Sequence, residues 1–242
     1  TYIAKTDSVI NAKNILRQGA QLSKPVNLDG YVSMRSFLTY AMPATFIKSN
    51  INLSGGFSWA KTPGIVNYTS SITNNYTYSG GVVVSSNINE YVDFNLSYNI
   101  NYNVARNSVQ LQQNTNYTNQ NAGVQFKLTS KNGWLIQNDL LNQSYSGLSS
   151  GYNQSYWLWN AAAGKKFLKK QAAEIRLSVF DLLKQNRNIS RTVTDSYIED
   201  VQNIALTQYF MLTFSYKPKN FGTAPATNQK GNRQNGKNSP DL

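Results

Sequence analysis

The chain has 242 residues, a net charge of +12 and only 14% charged residues, so uncharged Asn, Ser, Thr, Gln and Tyr carry much of its polarity. That mix suits β structure and argues against a helical protein. Cysteine and histidine are absent, which excludes disulfides, zinc sites of the usual Cys/His kind and any Ser-His-Asp or Cys-His catalytic unit within the chain.

In chain order, residues 1–30 read as a strand stub at Thr1–Ala4 and then a loop over 5–30, ended by Pro25 and the run NLDG at 27–30. The first full strand is predicted over Tyr31–Met42, with Val32, Met34, Leu38, Tyr40 and Met42 on one face. The second covers Ile51–Trp59 (Ile51, Leu53, Phe57, Trp59) and the third Tyr76–Val84 (Tyr76, Tyr78, Val82, Val84). The fourth, FNLSYNINYN at 94–103, alternates without a break: Phe94, Leu96, Tyr98, Ile100 and Tyr102 against Asn95, Ser97, Asn99, Asn101 and Asn103. Such a strand has one wholly apolar and one wholly polar face. The fifth covers Tyr117–Leu128, with Ala122, Val124, Phe126 and Leu128 on the apolar face. The sixth, Trp134–Leu141, alternates too poorly to assign a face. The seventh is Asn153–Ala163 (Trp157, Trp159, Ala161, Ala163) and the eighth Glu174–Phe180 (Ile175, Leu177, Val179). A helical turn is expected at Asp181–Lys184, inside a long loop. The ninth strand is Leu206–Tyr216, with Phe210, Leu212, Phe214 and Tyr216 in alternate positions. Residues 218–242, with Lys230, Arg233 and Lys237, have no periodicity and read as a flexible, solvated tail.

The connections sort by length. Short ones (43–50, 85–93, 129–133, 164–173) alternate with longer ones (60–75, 104–116, 142–152, 181–205). An up-and-down transmembrane barrel sorts its loops this way, with short periplasmic turns and long extracellular loops, whereas a Greek-key sandwich has no reason to. About ten residues per strand, tilted, cover roughly the 25 Å apolar band of an outer-membrane barrel. Aromatic residues at strand ends fit the two interfacial girdles; cross-strand packing in a soluble, glycan-binding sheet is the rival account. The expected fold is therefore an all-β, antiparallel, up-and-down transmembrane β-barrel over 31–217. Its lumen would be lined by Arg35, Asn95, Ser97, Asn99, Asn101, Glu174 and Arg176, with Gln125 and Lys127. The ninth strand must descend to the periplasmic side, which makes the tail periplasmic and the segment before Tyr31 extracellular. Nine strands and a stub, with no signal peptide at Thr1, suggest part of a longer barrel, because bacterial single-chain barrels usually have an even strand number.

Little here suggests other chemistry. Glu174 and Arg176 share one stripe at i, i+2 and read as an interior ion pair. Asp195, Glu199 and Asp200 in the 181–205 loop lack the spacing of a calcium loop. Lys and Arg are scattered, with local groups at 164–170 and in the tail, and follow no nucleic-acid-binding pattern. No enzyme activity, metal or cofactor is expected.

The segments GYVSMRSFLTYAMPATFIKSNINLSGGFSWAKTPGIVNY (30–68) and 145–222, above all SVFDLLKQNRNISR and YIEDVQNIALTQYFMLTFSY, resemble the C-terminal barrel of the outer-membrane β-barrel family found with TonB-dependent receptors in the Bacteroidota. The resemblance spans most of 15–222. It implies a barrel of about 22 strands with an N-terminal plug, energised by the TonB system through parts not in this chain. It implies nutrient uptake; a barrel that docks partners such as a surface lipoprotein is the alternative. Phe210, Leu212, Phe214 and Tyr216 also resemble the C-terminal signal read by the barrel-assembly machinery.

Overall fold

The structure, a computed structural model, describes residues 1–17, 20–86, 88–89, 91–194, 196–204 and 206–217. The tail expected over 218–242 and Asp195 lie outside the described residues. The nine predicted strands are present as β4 (Tyr31–Ala44), β5 (Ser49–Val66), β6 (Thr69–Ser86), β7 (Val92–Asn107), β8 (Thr115–Thr129), β9 (Trp134–Ser146), β10 (Ser155–Phe167), β11 (Ala173–Phe180) and β14 (Tyr209–Tyr216). Before them stand β1 (Tyr2–Thr6), β2 (Val9–Arg17) and β3 (Ala20–Leu28); β12 (Arg187–Val193) and β13 (Ile198–Ile204) separate β11 from β14. The main sheet follows the order β1-β4-β5-β6-β7-β8-β9-β10-β11-β14, each neighbour antiparallel, and is not closed on itself.

Three regions read as loops are β structure. Residues 9–28 form the hairpin β2–β3, in register from Val9↔Leu28 to Arg17↔Ala20. Pro25 does not break it, because β3 pairs only with β2 and a proline is tolerated on such an edge. The expected loop 60–75 is the far end of the β5–β6 hairpin, which turns only at Asn67 and Tyr68, both at positive φ (48° and 66°), as a two-residue hairpin turn requires. Pro63 and Gly64 suggested a break there. However, Ile72 directs its N–H and C=O to Ser108, so its pairing with Pro63 needs no Pro63 N–H. The ladder to β4 has already ended at Lys61, so no β4 residue pairs with Pro63, whose C=O instead accepts from Asn11 Nδ2 at 2.6 Å. The β2–β3 hairpin docks alongside, parallel to β5 at Lys13↔Ile65 and Asn14↔Val66. The Asn67 side chain accepts from the Leu16 N–H at 2.7 Å, and Lys13 lies 4.3 Å from the Tyr68 ring centroid. The third region, 181–205, holds β12–β13.

Register assigns every strand a face. Leu53↔Val82, Val82↔Tyr98 and Tyr98↔Ala122 put one row on one side; Ser54↔Gly81, Gly81↔Asn99 and Asn99↔Asn121 put the next on the other. The poorly alternating β9 resolves by pairing. Ile136 opposes Leu128 on the apolar face, whereas Leu135 and Leu141 point to the polar one and Asn138 and Asn142 to the apolar one. Those exceptions, which blurred the pattern, have partners: Asn138 accepts from Trp159 Nε1 at 2.6 Å, Asn142 donates to Ser155 Oγ, and Gln120 accepts from the Tyr98 hydroxyl at 2.9 Å. A face in hydrocarbon must satisfy its polar groups in this internal way. Tyr98 sits in mid-strand, away from the girdle positions, with its hydroxyl used.

Among the described residues the apolar face covers nothing: Leu38, Leu177 and Leu212 are 74%, 54% and 69% accessible, and the larger buried apolar side chains, Val66, Leu135, Leu148, Tyr156 and Ile189, lie elsewhere. Aromatic residues bracket this face, with Phe57, Trp59, Tyr76, Tyr78 and Tyr102 toward the long-loop end and Trp134, Phe167, Phe214 and Tyr216 toward the short-turn end. In water such a sheet would be an aggregation surface; against lipid it is a barrel wall. Leu96→Arg, mid-strand on this face, should cost roughly 2–4 kcal/mol of folding free energy in lipid, and Ser97→Arg on the other face far less. Denaturant titration of the two variants in micelles or vesicles checks this; equal tolerance would reverse the faces.

Candidate functional site

The site begins where β11 ends. Asp181 takes a left-handed conformation (φ 48°), which an Asp tolerates better than most residues. Its backbone N–H donates to Asn160 Oδ1, and its buried carboxylate accepts from the Gln185 and Asn186 N–H groups at 2.9 and 3.1 Å. A turn closed by Lys184 N–H to Asp181 C=O stands where a helical turn was expected. The carboxylate meets backbone donors on the far side of the bend and so fixes the angle at which the chain leaves the wall. At the return, the Phe180 and Tyr209 rings stack at 4.6 Å.

Between these points β12–β13 crosses the long-loop end of the polar face. Its anchor is Arg191, which donates from Nε and Nη2 to the two Asp200 oxygens at 2.6 and 2.5 Å. The same guanidinium donates to Thr115 Oγ1, Gly147 C=O and Ser149 Oγ, and lies 5.5 Å from the Tyr117 ring centroid. Asp200 also accepts from the Ser149 N–H at 3.0 Å. Both side chains are nearly inaccessible, at 4% and 3%. Below them Ile189 packs with Leu148 and Tyr156 in a small core bordered by Tyr117, Tyr145, Tyr152 and Leu158. The Tyr156 hydroxyl donates to Gln143. Gly147, at φ +80°, leaves no room for a Cβ, which would lie 2.9 Å from the Tyr117 Cα. The Arg191 hydrogen bonds, opposed by burial and reinforced by those of Ser149, hold the Asp200 carboxyl down at about 2.

Below the hairpin the polar face is open. Arg35, Asn95, Ser97, Asn99, Asn101, Glu174 and Arg176 all lie on it, as alternation predicts. Glu174 and Arg176 pair as expected, with Arg176 Nε and Nη2 on one carboxylate oxygen at 2.8 and 2.5 Å. Among the described residues Asn95, Ser97, Asn99 and Asn101 make no side-chain hydrogen bond. Phe210, Leu212, Phe214 and Tyr216 share the opposite face of β14, whose outer edge has no partner strand among the described residues. Of the acidic loop residues, Asp200 is committed to Arg191 and Glu199 is exposed. Sequence reasoning missed Arg191 and Asp181. The one trace of the Arg191 pairing was the alternation of Ile189, Arg191 and Val193 against Ile198, Asp200 and Gln202, which is short and set among turn residues.

The model of the outer membrane protein β-barrel family matches residues 30–216, from just before β4 to the last residue of β14. The chain belongs to that family. No curated protein and no solved structure matches it. Membership in the outer membrane protein β-barrel family assigns the apolar face to lipid and the protein to the outer membrane. It also explains why the sheet has so little core of its own: the wall of a barrel is stabilised by its ladders and by lipid. The match includes β12–β13, so the inward-folded hairpin lies within the family's span.

Because the Asp200 carboxyl is held below its ordinary value, its contribution is full above about pH 4 and is lost as pH falls toward 2. The hairpin should therefore stay docked from pH 4 to 8. Asp200→Asn leaves a buried guanidinium without a counter-charge, a loss of roughly 3–5 kcal/mol that the hairpin can avoid only by undocking. Limited proteolysis should cut the variant between β12 and β13 much faster at neutral pH, while the wild type gains that sensitivity only in strong acid. Equal rates would show that the ion pair is not the anchor.

Proposed function

We propose that this chain is the C-terminal part of a TonB-dependent-receptor-like barrel that takes up a nutrient across the outer membrane. The observation that carries the reading is the set of unpartnered polar side chains at Asn95, Ser97, Asn99 and Asn101 on the face away from lipid. Polar groups buried without partners cost free energy, so this face borders water, and a water-filled interior is a route for solute. The roofing hairpin β12–β13 supports the same reading, since it narrows the route at one end and offers a surface for recognition. Among the described residues the outer edges of β1 and β14 have no neighbouring strand and suit further strands of a larger barrel. The resemblance of 30–68 and 145–222 to TonB-associated barrels supplies the energy source. On this reading the long-loop end is extracellular, the tail periplasmic, and Phe210, Leu212, Phe214 and Tyr216 are offered to the assembly machinery during insertion.

The docking reading draws on a different observation. The β2–β3 hairpin and the tips of β5 and β6 extend beyond β4 at the long-loop end and form a surface that a surface lipoprotein or other protein could hold. The two readings separate in cells. Uptake of a labelled nutrient mixture should fall on deletion of the gene and equally on loss of TonB. Unchanged uptake in both strains, with a protein co-purifying on the β2–β3 surface, would replace transport by docking.

A further inference from the structure

Two adjacent rows of the polar face, midway between the hairpin and the charged groups near the short turns, have an unusual make-up. One runs Phe37, Gly56, Ser79, Asn101 and the next Thr39, Ser54, Gly81, Asn99, on β4, β5, β6 and β7. Phe37 breaks the polar pattern of this face, is 67% accessible and has no ring partner among the described residues. Beside it the wall drops to Gly56 and Ser79, then Ser54 and Gly81. No side chain larger than serine stands between the ring and β7. The far side rises again as Asn99 and Asn101, whose carboxamides have no hydrogen-bond partner among the described residues. The Asn99 oxygen leans over the floor: a Cβ on Gly81 would lie 2.5 Å from it and 2.7 Å from Ser54 Oγ. The result is a shallow trough with an exposed aromatic ring along one wall, free carboxamides along the other and hydroxyls between. From Phe37 to Asn101 it crosses three strand spacings, about 14 Å, roughly the length of three linked sugar rings.

We propose that this trough binds a neutral carbohydrate chain. An exposed aromatic face in a wet site is unfavourable until it is covered, and the C–H-bearing face of a pyranose ring covers it while leaving the hydroxyls in plane. A carboxamide offers a donor pair and an acceptor side by side and so meets two adjacent hydroxyls at once. Neither row contains a charge, so nothing in the trough rewards an ionic ligand. The charged groups lie outside it, with Asp139, Glu174 and Arg176 toward the short turns and Arg35 one row beyond Phe37 toward the long loops. A peptide could use the carboxamides, but it would leave the ring without a matching flat apolar face at a fixed place.

The inference deepens the uptake reading and rests on the same interior being wet. Its test is binding, separate from transport. The full-length protein in detergent is titrated by calorimetry with neutral trisaccharides built on glucose, mannose and N-acetylglucosamine, and with tripeptides of similar length. At least one trisaccharide should bind, and Phe37→Ala and the double variant Asn99→Ala, Asn101→Ala should each weaken it tenfold or more. Heat-modifiable migration on gels should show both variants folded. If either variant fails to fold, Phe37→Leu, which keeps an apolar side chain and removes the ring, gives the decisive titration, and unchanged affinity there overturns the proposal. So does binding of tripeptides alone, or of neither class. Sugar binding without TonB-dependent uptake would leave the trough standing and remove the transport reading. Uptake of a solute indifferent to Phe37→Ala would do the reverse.

Discussion

Hydrocarbon offers a peptide group no hydrogen-bond partner, and the rest of this structure follows from that fact. Each wall strand must give its N–H and C=O groups to a neighbouring strand, so the sheet runs as one antiparallel series from β1 to β14. The constraint reaches the side chains too. Tyr98 with Gln120 and Trp159 with Asn138 are polar pairs on a mainly apolar face, each closed on itself. Where the chain leaves the wall, at β2–β3 and at β12–β13, it does so as hairpins that bring their own ladders.

Stability is accordingly distributed in an unusual way for a chain of this size. Most large apolar side chains lie on the outside, and among the described residues a buried apolar cluster is found around Tyr156, Leu148 and Ile189. That patch is also where Arg191 and Asp200 are withdrawn from water. A buried ion pair contributes little net stability compared with apolar packing, but it is intolerant of misplacement, because either partner alone is a buried charge. The pair therefore specifies one position of the hairpin over the polar face rather than adding to the strength of the barrel.

Much of the wall was legible in the sequence because a lipid-facing strand must alternate, and Phe94–Asn103 alternates without exception. The polar face was legible for the same reason, down to the Glu174–Arg176 pair. What escaped was β structure outside the wall. The stretch from Lys61 to Asn75 continues β5 and β6 beyond the edge of β4, where Pro63 and Gly64 cost nothing and so mimicked a loop. The β2–β3 hairpin hid behind Pro25 because an edge strand can carry a proline. β9 hid its face because its outward asparagines are satisfied by partners distant in sequence, such as Trp159. The Phe37 trough needed the register of four strands, since no single strand contains it.

The return of the chain at Tyr209 directly beside its departure at Phe180 has a consequence for how such proteins diversify. β11 and β14 pair as neighbours from Ala173↔Tyr216 to Phe180↔Tyr209 whatever lies between them. The whole excursion from Asp181 to Gln208 is thus a cassette closed at its base by two stacked rings. It can be lengthened, shortened or exchanged without shifting the register of a single wall strand. Variation in this segment is thereby uncoupled from the requirement that the wall still insert, and one wall can carry quite different excursions over its polar face.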